Sequence, residues 1–141
     1  MSADHMERMD PISMTIYGAN FPSLEDAQEF FRVEDGIPKR LYQETYLQGE
    51  FQGRIEIRRF AKKTNRAEEL FADFPQGEYI IQSLQERFMS KLKRQVNTAV
   101  VIYGFYLGAH YTGRPAAVMR EKRGPDYHVF AVEEMLLPGE Q

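Results

Sequence analysis

The stretch Ser13-Met14-Thr15-Ile16-Tyr17-Gly18, followed by Phe21-Pro22-Ser23-Leu24-Glu25-Asp26, decides how this chain is read. Its first half alternates in polarity and is rich in β-branched and aromatic residues, which is the pattern of a strand. Its second half carries the start signals of a helix. Ser23 stands at the N-cap with Asp26 three positions on, and Glu25 and Asp26 suit the positive end of the helix dipole. Leu24, Ala27, Phe30 and Phe31 then recur at helical spacing and predict one apolar stripe. Glu34-Asp35-Gly36-Ile37-Pro38 ends that helix.

Further along, Lys39 to Gln48 fits a short helix or a strand. Phe51 to Arg58 reads as a strand with Phe51, Gly53, Ile55 and Ile57 on one face. Asn65, with Glu68 three residues later, is expected to cap a helix lined by Ala67, Leu70, Phe71 and Phe74, which Pro75-Gln76-Gly77 breaks. A longer helix is expected from Glu78 to about Arg94. Ile80, Ile81, Leu84, Phe88 and Leu92 form its buried stripe, and Lys91, Lys93 and Arg94 complement its dipole. Ala99-Val100-Val101-Ile102-Tyr103 is a near-continuous apolar run, as in a central strand covered on both faces. Ala116 to Arg120 and Tyr127 to Val132 flank the turn cluster Arg123-Gly124-Pro125-Asp126 and predict a terminal hairpin.

Helices grouped rather than alternating strictly with strands favour an α+β class: a single domain with a mainly antiparallel sheet and helices packed on it. It spans residues 13–137. Residues 1–12 read as a disordered N-terminal segment in which His5-Met6 resembles a cloning remnant, and Pro138 to Gln141 as a frayed tail. The expected core is Ile16, Phe30, Phe31, Ile55, Ile57, Leu70, Phe71, Leu84, Phe88, Val100 and Ile102.

A length of 141 residues suits one domain, and 43% hydrophobic residues argue against intrinsic disorder. The absence of cysteine excludes disulfides and thiolate metal sites and fits a reducing compartment. No apolar run reaches the roughly 18 residues of a membrane span, and no secretory signal is visible, so no membrane association and a cytoplasmic location are expected. The net charge of −3 is unevenly distributed. Residues 1–36 hold eight acids and two bases, residues 37–66 eight bases and three acids, and residues 91–123 seven bases and one acid. Blocks of this kind either give two-signed patches that steer partners or neutralise one another after folding.

Catalytic signatures are lacking. His110 and His128 could converge with Glu133, but no local His or carboxylate spacing suits a metal, so none is expected, nor any cofactor. No Gly-x-Ser-x-Gly elbow occurs, and Gly104, Gly108 and Gly113 do not form a phosphate loop. Arg54, Arg58, Arg59, Lys62, Lys63 and Arg66 crowd around Phe60, a composition that can bind nucleic acid. The acidic pI of about 5.7 and the absence of any nucleic-acid motif weigh against that, and alternating charges also describe a solvated strand face. A small enzyme with an unrecognised hydrolytic site and a nucleic-acid-associated regulator stand as the alternatives to a binding protein.

Ile16-Tyr17-Gly18-Ala19-Asn20-Phe21, with Ser23-Leu24-Glu25-Asp26-Ala27 and Phe30-Phe31, resembles the opening of the immunity protein twenty-two family: a strand, a Gly-x-Phe turn and a helix. Asn97 to Phe105 is similar to that family's late apolar strand ending in Tyr-x-Phe, whereas Lys39 and Arg40 depart from its acidic tendency between the two. The resemblance implies a non-enzymatic bacterial antitoxin that binds and neutralises a cognate polymorphic toxin. Many such toxins are nucleases with basic grooves, which an acidic patch can occupy as a phosphate mimic. The expected partner-binding residues are Glu25, Asp26 and Glu29 on the first helix, with Glu34 and Asp35 just after it.

Overall fold

The structure, a computed structural model, describes residues 12–42, 54–106 and 121–136. Strand β1 (Ile12–Asn20) occupies the middle of a five-stranded sheet, paired antiparallel with β5 (Lys91–Tyr106) and with β7 (His128–Leu136). Strand β4 (Arg54–Arg66) lies outside β5, and β6 (Glu121–Arg123) lies outside β7. The order is β4-β5-β1-β7-β6, and every neighbouring pair is antiparallel. The connections carry α1 (Leu24–Phe30), a small hairpin of β2 (Val33–Glu34) and β3 (Ile37–Pro38), α2 (Lys39–Tyr42), α3 (Ala67–Phe71) and α4 (Gly77–Glu86). The chain is thus an α+β protein built on a mainly antiparallel sheet.

Both faces of the sheet are covered, because its middle strands are apolar on both sides. Met14 and Ile16 of β1, with Ala99, Val101 and Tyr103 of β5, pack under Leu70, Phe71, Ile80 and Leu84 of α3 and α4. The alternate residues Tyr17, Ala19, Val100 and Ile102 pack under Ala27, Phe30 and Phe31 of the α1 segment. Ile55 and Ile57 join that second cluster only half-buried, as befits an outer strand. An aromatic stack closes the layer: Phe21 lies parallel to Tyr127 at 5.6 Å, and Phe30 leans on both.

The α1 start signals work as the sequence implies. Ser23 Oγ accepts the Asp26 N–H at 3.1 Å, and its hydroxyl donates to the Asp26 carboxylate at 2.9 Å. Leu24, placed on the apolar stripe by its spacing, is instead 42% exposed. Gly18 stands inside β1 rather than in a turn. A side chain there would meet the tip of the Phe130 ring at 2.9 Å and Leu92 at 3.0 Å, so glycine lets those two residues close over the strand without shifting.

Four expectations are corrected. The segment Glu34 to Pro38 does not merely end α1: Asp35 (φ 54°) and Gly36 (φ 83°) form a two-residue hairpin turn, whose positive φ values an Asp-Gly pair tolerates. Asn65 does not cap a helix. It lies in β4 and donates to the Leu92 carbonyl, while Arg66 holds the N-cap position of α3 without a side-chain cap. The long helix stops at Glu86, and Lys91, Leu92, Lys93 and Arg94 belong to β5. Leu84, Phe88 and Leu92 are spaced by four, which aligns residues on a helix and on a strand alike, so periodicity alone carried the helix too far. Phe88, expected in the core, is 97% exposed. The terminal hairpin forms between β6 and β7; Ala116 to Arg120, and the Phe51 and Gly53 positions of the earlier strand, lie outside the described residues.

The β1–α1 junction is fastened by side chains from β5 and β4. Asn97 accepts the Phe21 N–H at 3.1 Å and donates to the Phe21 carbonyl at 3.0 Å, while Asn20 accepts the Asn97 N–H at 3.1 Å. Arg59 adds bonds to the carbonyls of Phe21 and Pro22. Truncation by Asn97→Ala orphans the Phe21 N–H, whereas its carbonyl keeps Arg59. The expected cost is about 1–3 kcal/mol, read as a lowered melting temperature. Asn97→Asp retains the acceptor and should recover part of the loss; an Asn97→Ala protein that melts with the wild type would remove the fastening from the account.

Tyrosine ionisation reports the core independently. Burial holds the Tyr17 phenol far above its ordinary value of 10, with the Glu134 carboxylate adding to it. Tyr103 is pushed up to about 12, first by burial and then by Glu56, against the opposing charges of Arg54 and Arg58. A raised phenol pKa stabilises the fold below pH about 10 and loses that contribution as pH climbs through the folded value. In an absorbance titration at least two of the eight tyrosines should therefore ionise late, with alkaline unfolding. Full, reversible ionisation near pH 10 in a folded protein would contradict their burial.

Candidate partner-binding site

Helix α1 turns Ala27 and Phe30 to the sheet, which leaves Glu25, Asp26 and Glu29 exposed on its outer side. The hairpin turn places Glu34 and Asp35 beyond the C-terminal end of the same helix. The sequence therefore locates five carboxylates on one stretch of surface, but it does not reveal their partners. Arg32 sits between Glu29 and Glu34: it meets Glu29 at 3.2 Å and forms a short ion pair with Glu34. Lys39 reaches Asp35 at 2.7 Å and holds that carboxyl below the usual range, chiefly by their hydrogen bond. Arg40 lies over the Phe30 ring at 5.5 Å. The hairpin half of the patch is consequently neutralised by its own neighbours. The helix half is less so: Glu29 shares Arg32, but among the described residues Asp26 is engaged by the Ser23 hydroxyl alone and Glu25 has no ion-pair partner.

Beside this acidic stretch lies a groove of mixed character that the sequence did not disclose. It has a volume of about 560 Å³ and runs between α1 and β4, with Phe31, Val33, Ile55 and Ile57 as its apolar lining and Gln28, Glu56 and Arg58 as its polar lining. Val33 is 46% exposed, so a large aliphatic residue stands open next to the carboxylates. An apolar centre bordered by charge is the usual composition of a protein contact surface. The signal for it was the Val33–Asp35-Gly36–Pro38 hairpin, which tips Val33 outward.

The basic segment of β4 is largely occupied by internal work. Arg54 lies over the Tyr103 ring at 5.1 Å, and Arg58 lies over Phe74 at 4.8 Å while bonding Glu56. Arg59 holds the β1–α1 junction, and Arg66 pairs with Glu68. Tyr103 in turn donates its hydroxyl to the Pro75 carbonyl, so these cations brace the α3–α4 connection against the sheet. His128 does not approach Glu133: its ring meets Glu121 at 2.5 Å, and Glu133 pairs with Arg87. His110, Gly108 and Gly113 lie outside the described residues. Among those described, no cluster of three potential metal ligands occurs, and no helix is long and apolar enough to cross a membrane. No protein-family model matches the chain, and no curated protein or solved structure gives a significant match.

Proposed function

We propose that this protein is an immunity-type inhibitor that binds and blocks a bacterial toxin domain, with the outer side of α1 and the groove beside it as the contact surface. The observation that carries the reading is the row of exposed carboxylates Glu25, Asp26 and Glu29 on α1, together with the groove between α1 and β4 at which Val33 stands open. Carboxylates on a rigid helix present fixed negative charges to a basic groove, as a phosphate chain does, and the apolar notch supplies the desolvated centre that such contacts need. The likeness of residues 16–31 and 97–105 to an immunity family points the same way. The substrate-binding groove of a nuclease toxin is the surface with matching chemistry. An inhibitor that protects its own cell acts in the cytoplasm.

Association with the product of the adjacent gene is the direct test. Reversal of Glu25, Asp26 and Glu29 to Lys should slow association about tenfold or more at low salt, and the difference should shrink as salt rises. Glu29→Lys is the most informative single change, because it lies beyond the first helical turn and perturbs the α1 cap least. The reversals at Glu25 and Asp26 oppose the helix dipole and, at Asp26, the Ser23 bond, so a melting curve on the same protein separates folding from binding. Wild-type association by a folded triple variant would place the interface elsewhere.

A further inference from the structure

Helix α4 ends in a Schellman arrangement: the Met89 N–H bonds the Leu84 carbonyl at 2.7 Å, and the Phe88 N–H bonds the Gln85 carbonyl at 3.0 Å. The left-handed position of that motif normally holds glycine. Here it holds Phe88, at φ 59°. A bulky residue in this conformation is strained, and Phe88 recovers nothing by packing, since 97% of it is exposed. A residue that costs the fold twice is explained by what it does for something outside the fold.

Phe88 stands at the mouth of a groove of about 510 Å³. Leu92, Phe130 and Val132 are among its lining, the first two brought together over Gly18. Lys91, Lys93 and Arg94 are among its lining, are exposed, and form no ion pair among the described residues, although the Arg94 charge also acts on Glu121. Glu121 is the carboxylate on the rim, and it is engaged by Arg123 at 3.3 Å and by His128. The groove is therefore apolar inside and positive around. We infer that it is a second docking site, which takes a protein segment carrying large apolar side chains next to Asp or Glu, with Phe88 as the anchor. A second copy of this chain on the same patch would set its three cations against their duplicates. A nucleic-acid strand carries a phosphate at every step, one of them against Glu121, and finds a single exposed ring rather than a series of stacking platforms. The site lies on the α3–α4 side of the sheet, opposite α1, and does not depend on the toxin reading.

The test is selection of phage-displayed random peptides on the full-length chain, followed by affinity measurement on variants. Enriched peptides should combine acidic with aromatic or aliphatic residues. They should bind about tenfold more weakly to Phe88→Gly and to a Lys93→Glu/Arg94→Glu protein, and unchanged to the Glu25/Asp26/Glu29 reversal. Phe88→Gly should meanwhile melt several degrees higher, because glycine relieves the left-handed residue. A structural role for Phe88 predicts the opposite shift. The inference is overturned if no peptide is enriched, if enriched peptides ignore Phe88→Gly, if that variant melts lower, or if oligothymidylate binds the site and competes with the peptides. Loss of toxin binding in the α1 reversal with peptide binding intact bears only on the toxin reading, and the converse result only on this one.

Discussion

The bond pair between Asn97 and Phe21 is the constraint on which the rest of the structure depends. Strand β1 must leave the sheet and turn at once into α1, and a chain that reverses at a sheet end exposes backbone groups that no ladder satisfies. Asn97, on the neighbouring strand, supplies an acceptor and a donor at the spacing of one residue's N–H and carbonyl, acting as a surrogate strand for Phe21. Arg59 reaches in from β4 to take the same carbonyl and the next one. Three strands are thereby tied to the start of one helix, and the direction of α1 follows. With that direction fixed, Phe30 and Phe31 fall on Tyr17 and Phe21, and Tyr127 is drawn in from the terminal hairpin.

A sheet with apolar residues on both faces of β1 and β5 cannot leave either face to water, and this explains the disposition of the described helices longer than one turn. It also explains why so many cations lie on β4, outermost of the described strands on that side. An outer strand offers unpaired backbone to other chains, and lysine and arginine discourage such pairing. Here the arginines do more, because they lie over Tyr103 and Phe74 and extend the core past the last strand. A block of basic residues in sequence therefore became mostly a structural brace.

Much of the fold was legible where a local signal had one physical meaning. Ser23 with Asp26 marks a helix start in almost any setting, and Ala99 to Tyr103 is too uniformly apolar for an outer strand. Legibility failed where a signal had two meanings. The spacing Leu84–Phe88–Leu92 serves both periods, and what stops the helix is a left-handed Phe88 that no propensity scale would place there. Asn65 and Glu68 imitate a capping box, yet the Asn65 amide is committed to a carbonyl twenty-seven residues away. The Asp35-Gly36 turn was a readable hairpin signal, hidden by its second plausible role as a helix stop. At the candidate site, sequence located the five carboxylates but not their partners: Arg32 folds back on Glu29 at the helix end and also takes Glu34, and Lys39 reaches Asp35 across the hairpin turn.

Charge in the sequence and charge available to a partner are thus different quantities, and the difference is set by three-dimensional neighbours. Arg32, Lys39, Arg54, Arg58 and Arg66 all have carboxylates or rings on this chain to satisfy them. The charges with no ion-pair partner among the described residues include Glu25 and Asp26 of α1, and Lys91, Lys93 and Arg94 at the start of β5. The two groups stand on different elements, so each presents its own sign to a partner. The weak net charge of −3 conceals that separation. Each residual patch adjoins an exposed apolar side chain, Val33 on one face and Phe88 on the other. Charge steers an encounter from a distance and apolar contact holds it once water is expelled, so surfaces built this way suit partners rather than solvent.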